Sequence, residues 1–183
     1  MKINISRTIK AAVLFIILVS LDLFTKSLAV NALQDGRRIP LIKGVLEFYY
    51  IQNRGAAFGM FQNGTLILSF ISLAALVVLI MIYHVIPDGK KYLPLRLVLI
   101  FIAAGAAGNL YDRIMLKYVR DFIYFSLIDF PVFNVADIYV TCSVFILAYL
   151  IFFYYKEEDL QFISARGNKS AQNDNGEIDG SDQ

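Results

Sequence analysis

The chain has 183 residues, of which 58% are hydrophobic and only 17% are charged. A soluble domain is usually nearer half apolar and a quarter charged, and the excess here lies in long apolar runs, so composition excludes an ordinary soluble domain and predicts an integral membrane protein of one domain. The net charge is +2 with no basic cluster, and there is a single cysteine. We therefore expect no nucleic-acid partner and no internal disulfide.

Four apolar runs are long enough to cross a bilayer, which takes roughly 20 mostly apolar residues. They cover about residues 11–33, 65–86, 93–114 and 132–155. The first is too long and too interrupted by charge for a cleavable signal peptide. The sequence thus predicts an all-α membrane protein with one transmembrane domain, residues 1–155. A polar tail, residues 156–183, follows, and we expect it to be disordered and cytoplasmic.

An even number of spans places both termini on one side of the membrane. Nine of the lysines and arginines that flank the spans would lie on that side and seven on the other. The positive-inside rule then favours cytoplasmic termini. Three arginines lie on the opposite side, Arg54, Arg113 and Arg120. They stand among polar candidates for a site, so a functional role could keep them there despite the positive-inside rule.

The two loops on the outer side carry the remaining structural signals. The first loop, residues 31–64, contains Val45-Leu-Glu-Phe-Tyr-Tyr-Ile51, whose β-branched and aromatic content predicts a strand. The second loop, residues 115–131, alternates only in part and is interpreted as a strand or a short helix at the membrane interface. The many tyrosines and phenylalanines suit that position, because an aromatic ring is apolar at one end and can be wet at the other.

Asp22 and Lys26 lie four residues apart in the first span, so they share one helix face and can pair. They could form a salt bridge that orients the helix, or they could support a reaction centre. Neither interpretation lets them face lipid.

Two glycine-containing segments also allow two interpretations. Residues 53–59 could be a plain turn before the second span, or Asn53 and Gly55 could contact a substrate peptide there. In the third span, Gly105 and Gly108 stand among alanines, and small residues four apart in such a run let helices pack closely in lipid.

Asn109 and Arg113 share a face near the outer end of the third span. Arg113 could extend to the lipid headgroups. Alternatively, the cation and the amide could hold a carbonyl or a lipid phosphate.

Asp137 stands at the start of the fourth span, three residues after Asn134. An ionisable side chain in a span costs on the order of 2.5–3.5 kcal/mol, so it usually has a function. A helix cap would explain Asp137, but it would not explain Asp121 in the preceding connector. Two carboxylates that can meet at the edge of a bilayer indicate acid–base chemistry.

Five short motifs occur in order along the four spans. They are Asp22-Leu-Phe-Thr-Lys26, Asn53-Arg-Gly-Ala-Ala-Phe-Gly59, Gly108-Asn-Leu-Tyr-Asp-Arg113, Val119-Arg-Asp-Phe122 and Phe133-Asn-Val-Ala-Asp137. With these motifs the chain resembles the lipoprotein signal peptidases, also called signal peptidase II, up to about residue 155. The resemblance implies an aspartic peptidase of the bacterial cytoplasmic membrane. Such enzymes cut signal peptides from prolipoproteins just before a cysteine that carries a diacylglyceryl group.

The resemblance also implies roles for individual residues. Asp121 and Asp137 would be the catalytic pair. The substrate site would be lined by Asn53, Gly55, Asn109, Arg113 and Asn134. Supporting positions would be Asp22, Lys26, Gly105 and Gly108.

The first outer loop would form a small extracytoplasmic β-cradle and the second an interfacial helix over the site. Membrane lipids and cyclic lipopeptide inhibitors such as globomycin would be further partners. We expect no cofactor and no metal, because the sequence has no cluster of histidines and cysteines.

Two other classes of function remain open at this point. In a small transporter or channel component, Asp22 and Lys26 would lie on an ion path and Asp121 would be incidental. In a non-enzymatic scaffold, the Ala/Gly face of the third span would be an interaction surface. A metal-dependent phosphatase is a more distant alternative, since the sequence offers too few ligands.

Overall fold

The computed structural model of the protein describes residues 4–55 and 64–162. Four helices in this part are long and apolar enough to cross a membrane. They are α1 (Ile5–Leu33), α2 (Thr65–Val85), α3 (Leu93–Leu116) and α4 (Val135–Tyr149), the last continued by a π-helical turn (Leu150–Tyr154). Their bounds agree with the predicted spans within a few residues, except that α1 begins six residues earlier.

Side-chain caps explain where two of the helices begin. Asn4 caps α1, since its side chain accepts a hydrogen bond of 3.2 Å from the backbone N–H of Arg7. Asn134 and Asp137 form a capping box at the start of α4, in which each side chain accepts from the backbone N–H of the other. The capping role considered for Asp137 is therefore real.

The central helix of the bundle is α3, which packs against α1, α2 and α4. Buried residues occur along most of its length, whereas no residue of α2 is buried. Large apolar side chains are exposed along α1, α2 and α4. Such a surface is stable where lipid is the solvent, and the helices satisfy their own backbone hydrogen bonds there.

Two glycines let α3 approach its neighbours closely. A Cβ atom on Gly105 would lie 2.5 Å from the carbonyl oxygen of Ala136, at the start of α4. A Cβ atom on Gly108 would collide with the carboxylate of Asp22 on α1. The packing predicted from the spacing of small residues is confirmed at both positions.

A three-stranded antiparallel sheet stands at one end of the bundle. Its strands, in the order β1–β2–β3, are β1 (Arg38–Ile42), β2 (Leu46–Asn53) and β3 (Val119–Tyr124). The strand predicted in the first loop is β2, and Gly44, at φ 74°, allows the tight turn before it. Phe122 of β3 packs on Ala29 and Leu33, which joins the sheet to the end of α1.

The second loop contains both of the structures considered for it. After β3 it forms one 3-10 turn, Ser126–Ile128, so the helical part implied by the resemblance is a single turn. Leu127 and Ile128 in this turn are exposed. Exposed apolar residues beside a transmembrane bundle suit a position at the membrane interface.

The chain remains structured beyond residue 155, where the polar tail was expected to start. Residues 157–162 are helical. Asp159 pairs with Lys91 at 2.6 Å, and the ring of Phe162 stands edge-on to Tyr92 at 5.7 Å. These contacts hold the segment against the start of α3. The rest of the predicted tail, residues 163–183, lies outside the described residues.

Candidate active site

The two carboxylates predicted to act together meet at Asn134. Asp121 Oδ1 accepts a hydrogen bond of 2.6 Å from the Asn134 side-chain amide. Asp137 Oδ2 accepts one of 3.0 Å from the Asn134 backbone N–H. One residue therefore holds one oxygen of each carboxyl group.

A short strand pairing brings these residues together. Ile123 of β3 donates to the Phe133 carbonyl at 2.8 Å and accepts from the Phe133 N–H at 3.0 Å. Such an exchange of two hydrogen bonds is that of an antiparallel pair. Because Asn134 follows Phe133 directly, the pairing carries the start of α4 beside Asp121.

Asn53, at the end of β2, binds the other oxygen of Asp121. Its side-chain Nδ2 donates to Asp121 Oδ2 at 2.8 Å. Its own Oδ1 accepts from the backbone N–H of Gly55 at 3.0 Å, a local turn that fixes which side of the amide faces the carboxylate. Gly55 is buried beside this turn. The remaining residues of that motif, 56–59, lie outside the described residues.

Asn109 of α3 plays the corresponding part for Asp137. Its Nδ2 donates to Asp137 Oδ1 at 2.8 Å. Its Oδ1 accepts from Lys26 Nζ at 2.9 Å and from the Asn134 side chain at 3.1 Å. Since two donors face the Oδ1 atom, the amide can present only its N–H side to Asp137.

A buried network of charges lies beneath these amides. The predicted pair is present: Lys26 Nζ is 2.8 Å from Asp22 Oδ2, and it is also 3.5 Å from Asp112 Oδ2. Asp112 in turn binds Arg120, with an Nη2–Oδ1 distance of 2.7 Å. The side chains of Asp22, Lys26 and Asp112 are fully buried. Two carboxylates thus balance two cations, as buried charges require.

Asp22 also joins α1 to the site. Its Oδ1 accepts a hydrogen bond of 2.9 Å from the backbone N–H of Ala136, in the first turn of α4. That N–H has no partner within its own helix. The carboxylate therefore stabilises the end of α4 that carries Asp137.

Arg113 is half-buried near the pair, and its positive charge acts on both Asp137 and Asp121. In the part of the chain that the structure describes, its side chain makes no hydrogen bond and no ion pair. Its place agrees with the face it was predicted to share with Asn109. Over the same described ranges, no three His, Cys, Asp or Glu side chains group as metal ligands would.

Burial and the negative charge of Asp137 raise the pKa of Asp121 to about 7, although hydrogen bonds from Asn53 and Asn134 oppose the shift. A desolvated carboxyl group near a second carboxylate holds its proton more strongly than one in water.

A model of the family described as signal peptidase (SPase) II matches residues 14–153. The chain belongs to the signal peptidase II family. It is 44% identical over 135 residues to the lipoprotein signal peptidase of Clostridium novyi (strain NT), covering 70% of this chain and 87% of the relative. It is also 44% identical over 146 residues to that of Caldanaerobacter subterraneus subsp. tengcongensis, covering 78% and 96%.

Solved structures agree with this membership. A bacterial membrane enzyme solved by the in meso method at 2.3 Å is 26% identical, with a TM-score of 0.71 over 81% of this chain and 92% of that one. A second, at 1.9 Å, has a TM-score of 0.69 at the same identity, over 80% of this chain and 94% of that one. The resemblance read from the five motifs, a signal peptidase II with four spans and a small sheet, is confirmed.

The structure gathers most of the family's motif residues at one place. The predicted site residues whose side chains are linked there by hydrogen bonds or ion pairs are Asp22, Lys26, Asn53, Asn109, Asp121, Asn134 and Asp137. Gly105 and Gly108 act instead in helix packing. Sequence reasoning did not find the pairing of Asp112 with Arg120. Both residues stand inside motifs, but nothing in their spacing indicates that they meet.

We predict that Lys26→Met destabilises the fold by about 3–5 kcal/mol, because it leaves Asp22 and Asp112 buried with fewer cations than carboxylates. Thermal unfolding in detergent measures the effect. Lys43 is an exposed lysine in the turn between β1 and β2. Lys43→Met is therefore the matched control, and it should change the melting temperature little. Asp22→Asn combined with Lys26→Met should recover part of the loss. Equal melting temperatures for the Lys26 and Lys43 variants would contradict the role given to the network.

Proposed function

We propose that the protein is a membrane-embedded aspartic endopeptidase with Asp121 and Asp137 as its catalytic pair. It removes the signal peptide from diacylglyceryl-modified prolipoproteins by cleaving before the lipidated cysteine. This is the activity that the names of the family and of its relatives describe. The observation that carries the proposal is the position of the two carboxylates on either side of Asn134.

The raised pKa of Asp121 supports different roles for the two carboxyl groups, with Asp121 as the general acid and Asp137 as the general base. Below about pH 7 Asp121 keeps its proton, and we therefore assign the role of general base to Asp137. Asp137 takes a proton from a water molecule, whose oxygen attacks the scissile carbonyl. Asp121 donates its hydrogen bond to the carbonyl oxygen, and the proton taken up by Asp137 goes to the leaving amine. The reaction needs no covalent intermediate.

The surrounding amides contribute by holding the carboxylates. Both N–H groups of the Asn134 side chain and its oxygen are already engaged within the site. The oxygen of Asn109 accepts two hydrogen bonds. These two residues therefore line the site and orient the catalytic pair. Backbone carbonyls of the substrate would be held by Arg113, and Gly55, which has no side chain, would let the substrate approach closely. Such orientation lowers the barrier of a reaction by several kcal/mol.

The position of the site suits a lipid-modified substrate. The sheet packs on the end of α1 through Phe122, and Leu127 and Ile128 are exposed in the turn that follows β3. The acyl chains of the substrate can thus remain in the bilayer while the peptide enters the cradle. Cyclic lipopeptides such as globomycin also combine a peptide with an acyl chain, and we propose that they compete with the substrate. Lipids of the surrounding membrane are the remaining partners.

The sidedness of the protein is part of the same proposal. Both termini lie in the cytoplasm, and the catalytic pair lies at the extracytoplasmic leaflet. Lysine and arginine counts support this direction by nine to seven. The substrate supports it as well, since a signal peptide is removed after the rest of a lipoprotein has crossed the membrane.

We expect Asp121→Asn and Asp137→Asn each to lower cleavage at least about a hundredfold, because each removes one partner of the proton transfer. A gel-shift assay with a synthetic diacylated prolipoprotein measures this loss, and an unchanged elution volume in detergent shows that the variants fold. Asp129→Asn is the control. Asp129 is a carboxylate of the same connector and bonds only Tyr124 with its side chain among the described residues. Near-normal turnover in either of the first two variants would remove that residue from the catalytic pair.

The pH dependence of cleavage gives a separate test. Because the pKa of Asp121 is raised to about 7, its proton is present below that pH and is lost above it. We expect kcat/KM to fall as pH rises through about 7. Asn53→Ala removes a hydrogen bond that lowers this pKa, so the fall should move to higher pH. A fall that stays in place, or moves to lower pH, would show that Asp121 is not the group titrating.

A pair of reporter fusions tests the sidedness. Alkaline phosphatase, which is active only outside the cytoplasm, should be active when inserted after Lys43 in the hairpin and inactive at the C-terminus. Green fluorescent protein at the C-terminus should fluoresce. The reverse pattern would place the catalytic pair on the cytoplasmic side.

A further inference from the structure

A second concave site lies at the other end of the helix bundle. It is a cavity of about 560 Å³ between the starts of α1 and α3 and the turn that follows α2. Arg7 on its wall precedes Asp22 by fifteen residues of α1. At 1.5 Å per residue, about 20 Å of helix separates the cavity from Asp22, which lies beneath the proposed catalytic pair. None of the residues assigned to catalysis lines it.

Positive charge dominates the mouth of this cavity. Four cations line it, Arg7, Lys10, Lys90 and Arg96, against one carboxylate, Asp88. Lys10 and Lys90 are exposed, and in the described residues their side chains have no hydrogen-bond or ion-pair partner. Cations at the end of a transmembrane bundle attract anionic headgroups.

The two arginines are held in place by the turn between α2 and α3. Arg96, which is 8% exposed, donates to the carbonyls of Pro87 and Gly89, both at 2.8 Å. Arg7 donates from Nη1 to the Ile86 carbonyl at 3.0 Å and to Asp88 at 2.9 Å. These contacts fix two guanidinium groups before any ligand binds.

One donor in the cavity is left without an acceptor. The Nε atom of Arg7 is buried, and among the described residues nothing accepts its hydrogen bond. A buried N–H without a partner costs free energy that a ligand oxygen would recover. The guanidinium group of Arg7 can therefore gain one further hydrogen bond if a ligand oxygen reaches this N–H.

Part of the cavity wall is apolar. Leu14 from α1 and Leu93, Leu97 and Ile100 from α3 line it. Leu93 and Leu97 are exposed on the bundle surface, where they would meet lipid. A small soluble anion would use only the cations. A phospholipid would use both the cations and this wall.

We propose that the cavity binds one anionic phospholipid, with the headgroup phosphate at Arg7, Lys10 and Lys90 and the first part of an acyl chain along Leu93 and Leu97. Charge complementarity selects the occupant. A zwitterionic lipid would bring its own cation toward four others, whereas phosphatidylglycerol brings none. The inference is independent of the proposed catalytic function, because no step of the reaction uses this end of the bundle.

Lipid-dependent thermal unfolding of the detergent-purified protein tests the site. Phosphatidylglycerol should raise the melting temperature in a saturable way, and phosphatidylcholine should not. Each of Lys10→Gln and Lys90→Gln should weaken the apparent affinity for phosphatidylglycerol about fivefold, and the two together about 25-fold, since a lysine near an anionic headgroup contributes about that factor.

A variant with the same loss of charge controls for nonspecific attraction. Lys43→Gln with Lys156→Gln removes two exposed lysines, one from the hairpin and one beside the end of α4, outside the cavity. It should keep the affinity of the unaltered protein. Cleavage in detergent should be unchanged in both double variants, which shows that they fold.

Three results would overturn the proposal. The first is unchanged affinity in the Lys10/Lys90 variant, or an equal loss in the control variant. The second is equal stabilisation by phosphatidylcholine, which would show that the cavity does not select lipids by headgroup charge. The third is equal stabilisation by glycerol phosphate at the same concentration, which would identify a soluble anion as the ligand instead of a lipid.

Discussion

A single buried ammonium group, that of Lys26, is the constraint from which the arrangement of the bundle follows. A cation in a membrane protein must be neutralised and hydrogen-bonded nearby. Lys26 meets this requirement with Asp22 on its own helix and with Asp112 and Asn109 on α3. Through Asn109 and through Asp22 the same network reaches α4, at Asp137 and Ala136. Three helices can satisfy these contacts together only in one relative rotation, so the charge network and the packing specify each other.

The proposed catalytic pair is assembled from two kinds of secondary structure. Asp137 belongs to the first turn of a transmembrane helix, where its carboxylate also caps that helix. Asp121 belongs to a strand and depends on the sheet for its position. The junction is the short pairing between Ile123 and Phe133, which brings the strand to the helix start. One carboxylate of the proposed pair is therefore anchored in a helix of the bundle, and the other is held by the sheet.

The two ends of the bundle use charge in different ways. At the end that holds Asp121 and Asp137, opposite charges are balanced within the protein, and the Lys26 side chain is fully buried. At the other end, four cations face one carboxylate, and the arginines bind backbone carbonyls of the turn after α2. The first arrangement specifies a rigid site. The second leaves positive charge uncompensated next to an apolar wall, which is the environment that an anionic lipid would complete.

The sequence by itself determined the features that depend on residues close along the chain. The spans could be found from apolar length, the Asp22–Lys26 pair from its four-residue spacing, and β2 from its composition, because each of these is a local property. The strand β1 was not predicted, since Pro40 disfavours a strand except at an edge. Whether Asp137 was a cap or a reactive group also stayed open in the sequence, and the structure shows one oxygen capping α4 while the other faces Asn109. Only the tertiary structure decided that Asp121 and Asp137 share Asn134, and that Asp112 meets Arg120. Those contacts depend on helix rotation and strand register, which are set by packing across the whole bundle and leave no periodic pattern in the chain.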